Sequence, residues 1–281
     1  MKLILTLLVR DEEDIIRENI LFHLNHGVDY IIATDNKSVD STVDILRDFE
    51  KRGLLEYIYE PDDDYSQWRW VSRMARQAAT KHGADWVINA DADEFWCPIK
   101  GNLKEVLAEI PENVSVVGVE RKNFVTVKRR YRHFYNDMIY REVLSLNTLG
   151  EKLPGKACHK AFPDVLVSQG NHNLKHPENI LKINTHDIEI LHFPMRSFLQ
   201  FENKIKLGGA AYERNSELDK AIGNTWRKLF NDYRRAGLEQ YYRSQVKSEA
   251  EIEKGLESGS LVMDKRLMDF FSQEKPTALQ T

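Results

Sequence analysis

The 281-residue sequence lacks several features that identify common protein classes. Its only two cysteines, Cys97 and Cys158, are far apart, which argues against a disulfide framework and against a cysteine metal site and fits reduced thiols. No apolar run approaches the length of a membrane-spanning helix. The formal net charge of −4 lacks the basic excess of a typical nucleic-acid-binding protein. We therefore expect a soluble cytoplasmic protein without a nucleic-acid partner, with at most peripheral contact with the inner face of a membrane.

Glycine-rich phosphate-binding motifs are also missing. The sequence contains neither G-x-G-x-x-G nor G-x-x-x-x-G-K-[ST], so neither a dinucleotide-binding fold nor a P-loop is indicated. If the chain binds a nucleotide, something other than a glycine cradle must hold the phosphates.

The first half of the chain alternates between strand and helix patterns. Residues 2–9 begin basic and then apolar, as a signal peptide does, but the apolar run is short and meets a charged segment at once, which favours a buried first strand. Further strands are predicted at 30–34, 54–59 and 86–90, with amphipathic helices between them. This alternation is typical of a mainly parallel α/β sheet flanked by helices.

The pattern changes after Pro98. A short helix is predicted at 103–110 and a strand at 114–119, after which short β-like runs, broken by Gly, Pro and Asn, continue to about residue 190. The chain beyond Phe198 is mostly helical in pattern. We predict a domain over residues 1–200, with a nucleotide-binding half at about 1–97 and an acceptor half at about 98–200. Residues 201–281 are predicted to form a helical extension packed on it.

Two carboxylates end the fourth predicted strand. Asp91 and Asp93 follow the apolar run 86–90, and ligands of open α/β sheets bind beyond the carboxyl ends of the strands. Two such oxygen ligands suit Mg²⁺ or Mn²⁺, which usually also bind oxygens of a substrate phosphate. Asp is equally common in turns, so the pair alone also fits a plain strand-end turn.

Polar residues follow the neighbouring strands as well. Arg10 and Glu12 come after the first strand, and Asp35 and Asn36 come after the second. Because these strands are predicted to be parallel, their carboxyl ends share one edge with Asp91. A carboxylate and an amide there could bind a base and ribose, and a metal could bind the diphosphate. A diphosphate held by metal, without a glycine cradle, indicates a nucleotide-sugar enzyme.

Four motifs in the same order resemble the family 2-like glycosyltransferases of GT-A fold, in particular a bacterial branch with a D-x-D-E-F signature. They are Leu8-Val9-Arg10-Asp11-Glu12-Glu13-Asp14-Ile15-Ile16; His26-Gly27-Val28-Asp29 with Asp35-Asn36-Lys37-Ser38-Val39-Asp40-Ser41-Thr42; Asp91-Ala92-Asp93-Glu94-Phe95; and Leu191-His192-Phe193-Pro194-Met195-Arg196-Ser197 followed by Lys204. The resemblance covers roughly residues 1–240 and implies a GT-A-like, Rossmann-like sheet.

The resemblance also implies roles for single residues. Asp35 and Asn36 would lie near the base or ribose, and Asp91 and Asp93 would flank the ribose and the metal, Mn²⁺ or Mg²⁺. His192 could be a third metal ligand, although a hydrogen-bonded histidine at a strand end fits equally. Three further groups of residues complete the expected site: Arg196 and Lys204 as diphosphate ligands, Arg73 beside the same edge on a helix, and Lys156 on the acceptor side.

The catalytic base is not identified by any motif. Inverting transfer needs a group that takes the proton of the acceptor hydroxyl, and many family 2 enzymes supply it from a Glu-Asp pair that this sequence lacks after Asp93. The candidates that remain are Glu94, Glu142, Asp164 and His172.

The sequence therefore predicts a metal-dependent glycosyltransferase. It would move a sugar from a nucleoside-diphosphate sugar to a glycan, lipid-linked or protein acceptor, with inversion, in the synthesis of surface polysaccharide or another glycan. Two alternatives stay open. One is a nucleotidyltransferase that makes nucleotide sugars, and the other is a non-catalytic GT-A-like domain that binds saccharide.

Overall fold

The computed structural model describes residues 1–64, 66–147, 150–175, 180–216 and 223–273. The strands are β1 (Leu3–Val9), β2 (Tyr30–Asp35), β3 (Leu55–Tyr59), β4 (Trp86–Asp91), β5 (Glu94–Pro98), β6 (Val114–Val119), β7 (Arg121–Asn123), β8 (Tyr140–Glu142), β9 (Lys156–Lys160), β10 (Leu166–Val167), β11 (Leu174–Lys175), β12 (Leu181–Asn184), β13 (Ile188–His192) and β14 (Leu261–Met263). The helices are α1 (Ile16–Asn25), α2 (Thr42–Lys51), α3 (Gln67–Thr80), α4 (Leu103–Ala108), α5 (Phe198–Arg214), α6 (Asn224–Arg234), α7 (Leu238–Gln245), α8 (Glu249–Glu257) and α9 (Arg266–Gln273).

The central sheet is mainly parallel, as the sequence predicts. In the described part of the chain it has seven strands in the order β12-β6-β9-β4-β1-β2-β3. The strands β1 to β4 run parallel to one another, and only β9 is antiparallel to its neighbours. The prediction of an α/β sheet flanked by helices is confirmed.

Helices cover both faces of the sheet because β1 is apolar on both sides. Leu3, Leu5 and Leu7 belong to the larger core, which includes residues of α1, α2 and α4. Ile4 belongs to a second core that contains the apolar residues of α3. Alternate side chains of a strand point to opposite faces, so a strand buried on both sides is apolar along nearly its whole length.

The order of the strands creates a switch point beside β1. The chain passes from β1 to β2 and β3 on one side and returns to β4 on the other. In the register, Asp35 lies opposite Val9, and Asp91 lies opposite Leu8. The carboxyl ends of β1, β2 and β4 therefore meet at one edge, at the position where such sheets bind ligands.

A second, three-stranded sheet stands beside this edge. Its order is β5-β13-β7, with β13 antiparallel to β5 and parallel to β7. The register places His192 between Glu94 on β5 and Asn123 on β7. Residues 98–190, for which the sequence predicts a helix at 103–110, a strand at 114–119 and then irregular β-like runs, supply the rest of the central sheet. They also supply β7 of the smaller sheet, and β5 and β13 lie at their two ends.

The C-terminal region is mostly helical, as predicted, but it also contains β14, which pairs with β8. Helices α5, α6 and α7 form their own core around Phe201 and Phe230. Gly208 lets α6 approach α5 closely, since a Cβ there would lie 2.5 Å from the Trp226 ring. The predicted division at residue 200 falls inside α5, near its start, and stays a prediction. No helix among the described residues is long and apolar enough to cross a membrane.

Candidate functional site

Asp91 ends β4 and is held by three donors. Lys156 Nζ lies 2.6 Å from its Oδ2, and the side-chain amides of Gln67 and Asn171 donate to its Oδ1 at 3.2 and 3.3 Å. Lys156 reaches this carboxylate because β9 lies beside β4 in the sheet. The sequence placed Lys156 on the acceptor side, whereas the structure pairs it with the first aspartate of D-x-D.

Glu94 lies beneath this pair and is fully buried. Lys156 Nζ lies 3.0 Å from its Oε1, and Arg121 lies 3.6 Å from the same oxygen. Burial raises the pKa of Glu94 to about 7, against the opposing effect of Lys156. A buried carboxyl between two cations helps to hold the site together, and it is not exposed to a substrate.

Asp93 makes a separate ion pair. Lys204 Nζ lies 2.5 Å from Asp93 Oδ2, and this lysine comes from the middle of α5. Burial by itself would raise the pKa of Asp93, but the positive charges around it, with Lys204 the largest contributor, together outweigh burial and hold that pKa well below the usual range. Asp93 is therefore ionised in its buried position, and Lys204 supplies its compensating charge.

His192 faces the other oxygen of Asp93. Its Nε2 lies 3.8 Å from Asp93 Oδ1. Its Nδ1 lies 2.7 Å from Asn123 Oδ1, and the Asn123 amide donates to Glu142 at 3.4 Å. This arrangement makes Nδ1 the protonated nitrogen and leaves a lone pair on Nε2. Burial lowers the pKa of His192 to about 3, so the ring is neutral at physiological pH and the contact with Asp93 is not an ion pair.

Arg196 is a structural brace in this structure, which differs from the expectation that it binds diphosphate. It is fully buried. Its guanidinium donates to Glu12 at 2.5 Å, to both oxygens of Asp14 at 2.8 Å and to the Phe193 carbonyl at 3.0 Å. These contacts tie the loop after β13 to the loop after β1. Burial raises the pKa of Glu12 to about 7, and Arg196 opposes that rise.

Asp35 and Asn36, the residues expected at the base and ribose, form hydrogen bonds to neighbouring segments of the chain. Asp35 is fully buried and accepts hydrogen bonds from the Ser38 backbone N–H at 3.3 Å and the Tyr57 hydroxyl at 3.4 Å. Asn36 donates to the carbonyls of Glu60 and Asp62, and its Oδ1 accepts from Arg10 at 3.4 Å.

Two arginines complete the same corner. Arg10 also pairs with Asp63 at 2.6 Å. Arg73 lies beside this edge as predicted, and it pairs with the buried Glu60 at 2.9 Å. The structure thus brings the predicted residues of β1, β2 and α3 to one corner, with most of their polar atoms already paired.

One helix contacts three of these loops. Along α5, Asn203 donates to Asp11 at 2.9 Å, Lys204 contacts Asp93, and Arg214 lies 2.9 Å from Asp63. The loops after β1, β4 and β3 are therefore fixed by successive parts of one helix. The helix begins at Phe198 and is capped by Ser197, whose hydroxyl accepts the N–H of Gln200.

The four candidate bases lie in different surroundings. His172 is partly buried near the Asp91 edge, and its Nδ1 lies 2.7 Å from the Gly155 carbonyl, so Nε2 is the nitrogen with a lone pair. Burial, with help from Lys156, lowers its pKa to about 4. Asp164 is exposed and follows β9, which ends at Lys160. Lys160 pairs with Trp86 at the start of β4, so Asp164 lies at the edge of the sheet opposite to Asp91. The structure does not bring Asp164 to the other candidates.

The residues fit a divalent cation in part. Among the described residues, no three His, Cys, Asp or Glu side chains form a ready metal site. Asp93 Oδ1 and His192 Nε2, however, are two lone-pair donors that face each other at 3.8 Å. A carboxylate and a neutral imidazole, completed by phosphate oxygens and water, suit a cation such as Mn²⁺. Asp91, by contrast, is already bound by Lys156, Gln67 and Asn171.

Several residues of the site were not found from the sequence. Asn123 orients His192, Asn171 holds Asp91, and Asp14 holds Arg196. Asn123 ends β7, which is parallel to β13. Polar residues at the carboxyl ends of parallel strands lie at one edge, which is how Asp91 was located. The same rule would have located Asn123 if this three-residue strand had been recognised. Asn171 has no comparable signal, although its positive φ of 60° marks a constrained turn.

Solved glycosyltransferase structures are similar to this chain at a distance. S. aureus TarS, residues 1–349, is 14% identical, with 84% of this chain and 72% of that chain covered and a TM-score of 0.46. The complex of the same protein with UDP-GlcNAc gives 14% identity, coverage of 84% and 73%, and a TM-score of 0.46. Glucosyl-3-phosphoglycerate synthase from Mycobacterium tuberculosis, in complex with Mn²⁺, UDP and phosphoglyceric acid, is 17% identical, with coverage of 57% and 56% and a TM-score of 0.32. These likenesses are too distant to say what this chain binds.

A search of curated proteins found no match to this chain. A family model, in contrast, matches most of it: the model of glycosyltransferase family 92 covers residues 6–235. The expected enzyme class is confirmed, and the finer family 2-like assignment is not. The chain belongs to glycosyltransferase family 92.

Proposed function

We propose that this protein transfers a sugar from a nucleoside-diphosphate sugar to an acceptor hydroxyl, and that the Asp91–Asp93 edge is its donor site. One observation carries the proposal. At the switch point of the sheet, the buried Asp93 lies between the ammonium of Lys204, 2.5 Å from one carboxylate oxygen, and Nε2 of His192, 3.8 Å from the other. A purely structural turn needs neither a buried charge nor an oriented imidazole, whereas a site that binds a charged diphosphate uses both.

The leaving group of the reaction is a nucleoside diphosphate, and negative charge grows on it as the sugar departs. Fixed positive groups at that position stabilise the transition state more than the ground state. Of the two lysines that pair with Asp91 and Asp93, Lys204 has the partly exposed side chain, at 25%, whereas the side chain of Lys156 is 2% exposed. We assign the contact with the diphosphate to Lys204 and the fixing of Asp91 to Lys156.

Asp93 and His192 are the residues that would hold a divalent cation. When bound, Mn²⁺ or Mg²⁺ would supply further positive charge to the departing diphosphate. Glu142 and Asn123 contribute indirectly, because the contact of Asn123 with Glu142 presents its oxygen to His192 and fixes the imidazole tautomer.

Of the four candidate bases, His172 fits inverting transfer best. Glu94 is fully buried between Lys156 and Arg121, Glu142 supports Asn123, and Asp164 lies at the opposite edge. His172 has its Nδ1 hydrogen bonded to a backbone carbonyl, and Nε2 carries the lone pair. We propose that His172 takes the proton from the acceptor hydroxyl.

The family match supports sugar transfer over the nucleotidyltransferase alternative. The remaining alternative, a non-catalytic saccharide-binding domain, is tested by donor hydrolysis. The finer family 2-like assignment, the cytoplasmic location, the peripheral membrane contact and the glycan, lipid-linked or protein acceptor stay predictions.

The deciding experiment is a thermal-shift and hydrolysis panel of nucleotide sugars with Mn²⁺ or with chelator. We expect one donor to stabilise the wild type with Mn²⁺, by mass action on the native state, and to be hydrolysed slowly to nucleoside diphosphate. Asp93→Asn should remove both effects without unfolding the protein, and the exposed loop variant Asp62→Asn should keep both. A wild type that neither binds nor hydrolyses any donor would exclude the enzymatic proposal.

A further inference from the structure

Lys204 and the cation-binding pair share the same carboxylate. Lys204 Nζ is bound to Asp93 Oδ2 at 2.5 Å, and Oδ1 of the same group faces His192 Nε2. Lys204 Nζ also lies 4.0 Å from Glu12 Oε1. An ammonium and a divalent cation on one buried carboxylate repel each other strongly, because water screens them little there.

We infer that Lys204 occupies Asp93 in the nucleotide-free protein and moves to the diphosphate of the donor when a divalent cation takes its place. This inference rests on the proposed function, since it needs a diphosphate ligand at the edge. Lys204 thereby makes the binding of the cation and of the nucleotide depend on each other.

Exposure distinguishes the lysine that can move from the one that cannot. The side chain of Lys204 is 25% exposed on a helix that crosses the edge, so its ammonium can reach the solvent-facing side. The side chain of Lys156 is 2% exposed and lies between Asp91 and Glu94. Moving Lys156 would take the nearest ammonium away from both carboxylates, whereas Asp93 gains the cation when Lys204 leaves.

The charges around Asp93 make the binding of the cation and the binding of the nucleotide depend on each other. Without nucleotide, a cation that approaches Asp93 must displace Lys204 with no new partner for its ammonium. With nucleotide bound, the diphosphate offers that partner. The affinity of each ligand is therefore raised by the other, and thermodynamic linkage requires the two factors to be equal.

The test measures Mn²⁺ binding by titration, with electron paramagnetic resonance detecting free Mn²⁺, in the presence and absence of saturating UDP or GDP. We expect the wild type to bind Mn²⁺ at least about tenfold more tightly when nucleotide is present, within the usual range of such coupling. Lys204→Met should bind Mn²⁺ without nucleotide about tenfold more tightly than the wild type does, and nucleotide should then change that affinity less than about threefold.

Two controls separate the role of this lysine from general charge effects. Lys206→Met removes an exposed lysine from the same helix and should behave as the wild type. Lys204→Arg keeps the positive charge and should keep Mn²⁺ binding weak in the absence of nucleotide.

Stability gives a second readout, which also covers a variant that folds poorly. Lys204→Met leaves Asp93 buried and unpaired, so its melting temperature should fall in chelator and rise more than that of the wild type on addition of Mn²⁺. The double variant Asp93→Asn/Lys204→Met should be folded in chelator and insensitive to Mn²⁺.

The inference is overturned if the wild type binds nucleotide with Mn²⁺ but Lys204→Met shows unchanged or weaker Mn²⁺ affinity. A double variant that still responds to Mn²⁺ would also overturn it, since the cation would then bind elsewhere. If no form of the protein binds any nucleoside diphosphate, the proposed function fails together with the inference.

Discussion

Replacing Arg196 with methionine tests whether this residue braces the fold or binds the donor. The guanidinium makes four hydrogen bonds, one to Glu12, two to Asp14 and one to the Phe193 carbonyl, and it is fully buried. Methionine is of similar length and apolar, so it fills much of the space and removes the charge. The variant therefore isolates the loss of the ion pairs.

The expected loss of stability follows from what stays behind. Breaking a buried ion pair by removing one partner costs about 3–5 kcal/mol. The Asp14 side chain is 35% exposed and can be rehydrated, while the Glu12 side chain is 10% exposed and cannot. We therefore expect the lower end of that range, about 3 kcal/mol for Arg196→Met. Adding Glu12→Gln should recover part of the loss, because it removes the buried unpaired carboxylate.

Urea unfolding at 25 °C measures this quantity, as a lower midpoint at constant slope. Arg234→Met is the matched control, because Arg234 pairs with Glu213 on the surface, where both side chains are well exposed. Such pairs contribute at most about 1 kcal/mol. A loss below about 1 kcal/mol for Arg196→Met, together with lost nucleotide affinity, would refute the brace and support the role in diphosphate binding that the sequence suggested.

Three further changes probe the fold. Burial lowers the pKa of His23 to about 3, so between that value and about pH 6.5 the unfolded chain binds a proton that the native state does not. The free energy of unfolding therefore decreases as the pH is lowered. His23→Gln should lessen that slope by about 1.4 kcal/mol per pH unit between pH 6 and 4, whereas parallel urea-unfolding profiles would contradict the assignment. Gly208→Ala places a Cβ 2.5 Å from the Trp226 ring and should cost about 1–3 kcal/mol by overpacking; an unchanged melting temperature would show that the ring moves freely. Asn102→Ala removes the capping box that Asn102 forms with Glu105 at the start of α4 and should cost about 1 kcal/mol in urea unfolding, a loss that Lys100→Ala should not reproduce.

The first four strands were predictable because their signals are local. Each is a short apolar run, and successive runs are separated by helices whose apolar positions share one face, as in α3. Parallel pairing then follows from the connections alone. The meeting of Asp91 with the loops after β1 and β2 was predictable for the same reason.

Several of the later strands depend on partners far along the chain. β7 has three residues and pairs with β13, about 70 residues later, and β8 pairs with β14, about 120 residues later. Neither strand has a pattern of its own, so its existence is decided by tertiary contacts. Lys156 illustrates the consequence. Its strand β9 inserts beside β4 in the antiparallel sense, which no local signal indicates, and its pairing with Asp91 could not be foreseen.

The partners of Arg196 could not be predicted for a related reason. A basic residue after a histidine at the end of a strand fits a phosphate ligand. Only the position of the loop after β1 shows that Glu12 and Asp14 lie within ion-pair distance of the Arg196 guanidinium. The sequence predicts which type of residue lies near a given edge of the sheet. Whether that residue faces the ligand or a buried partner depends on contacts that span the whole chain.

The charges of the site explain why its carboxylates have so many partners. Five carboxylates and four cations lie in contact there: Asp91, Glu94, Asp93, Glu12 and Asp14 with Lys156, Arg121, Arg196 and Lys204. Nearly balanced charge makes burial tolerable without a ligand. A diphosphate adds negative charge to this balance, so it must bring positive charge with it or take it from the site. Among these four cations, Lys204 is the one with a partly exposed side chain that pairs with a carboxylate facing a second ligand atom, His192 Nε2. We therefore expect the donor diphosphate and a divalent cation to bind together at Asp93.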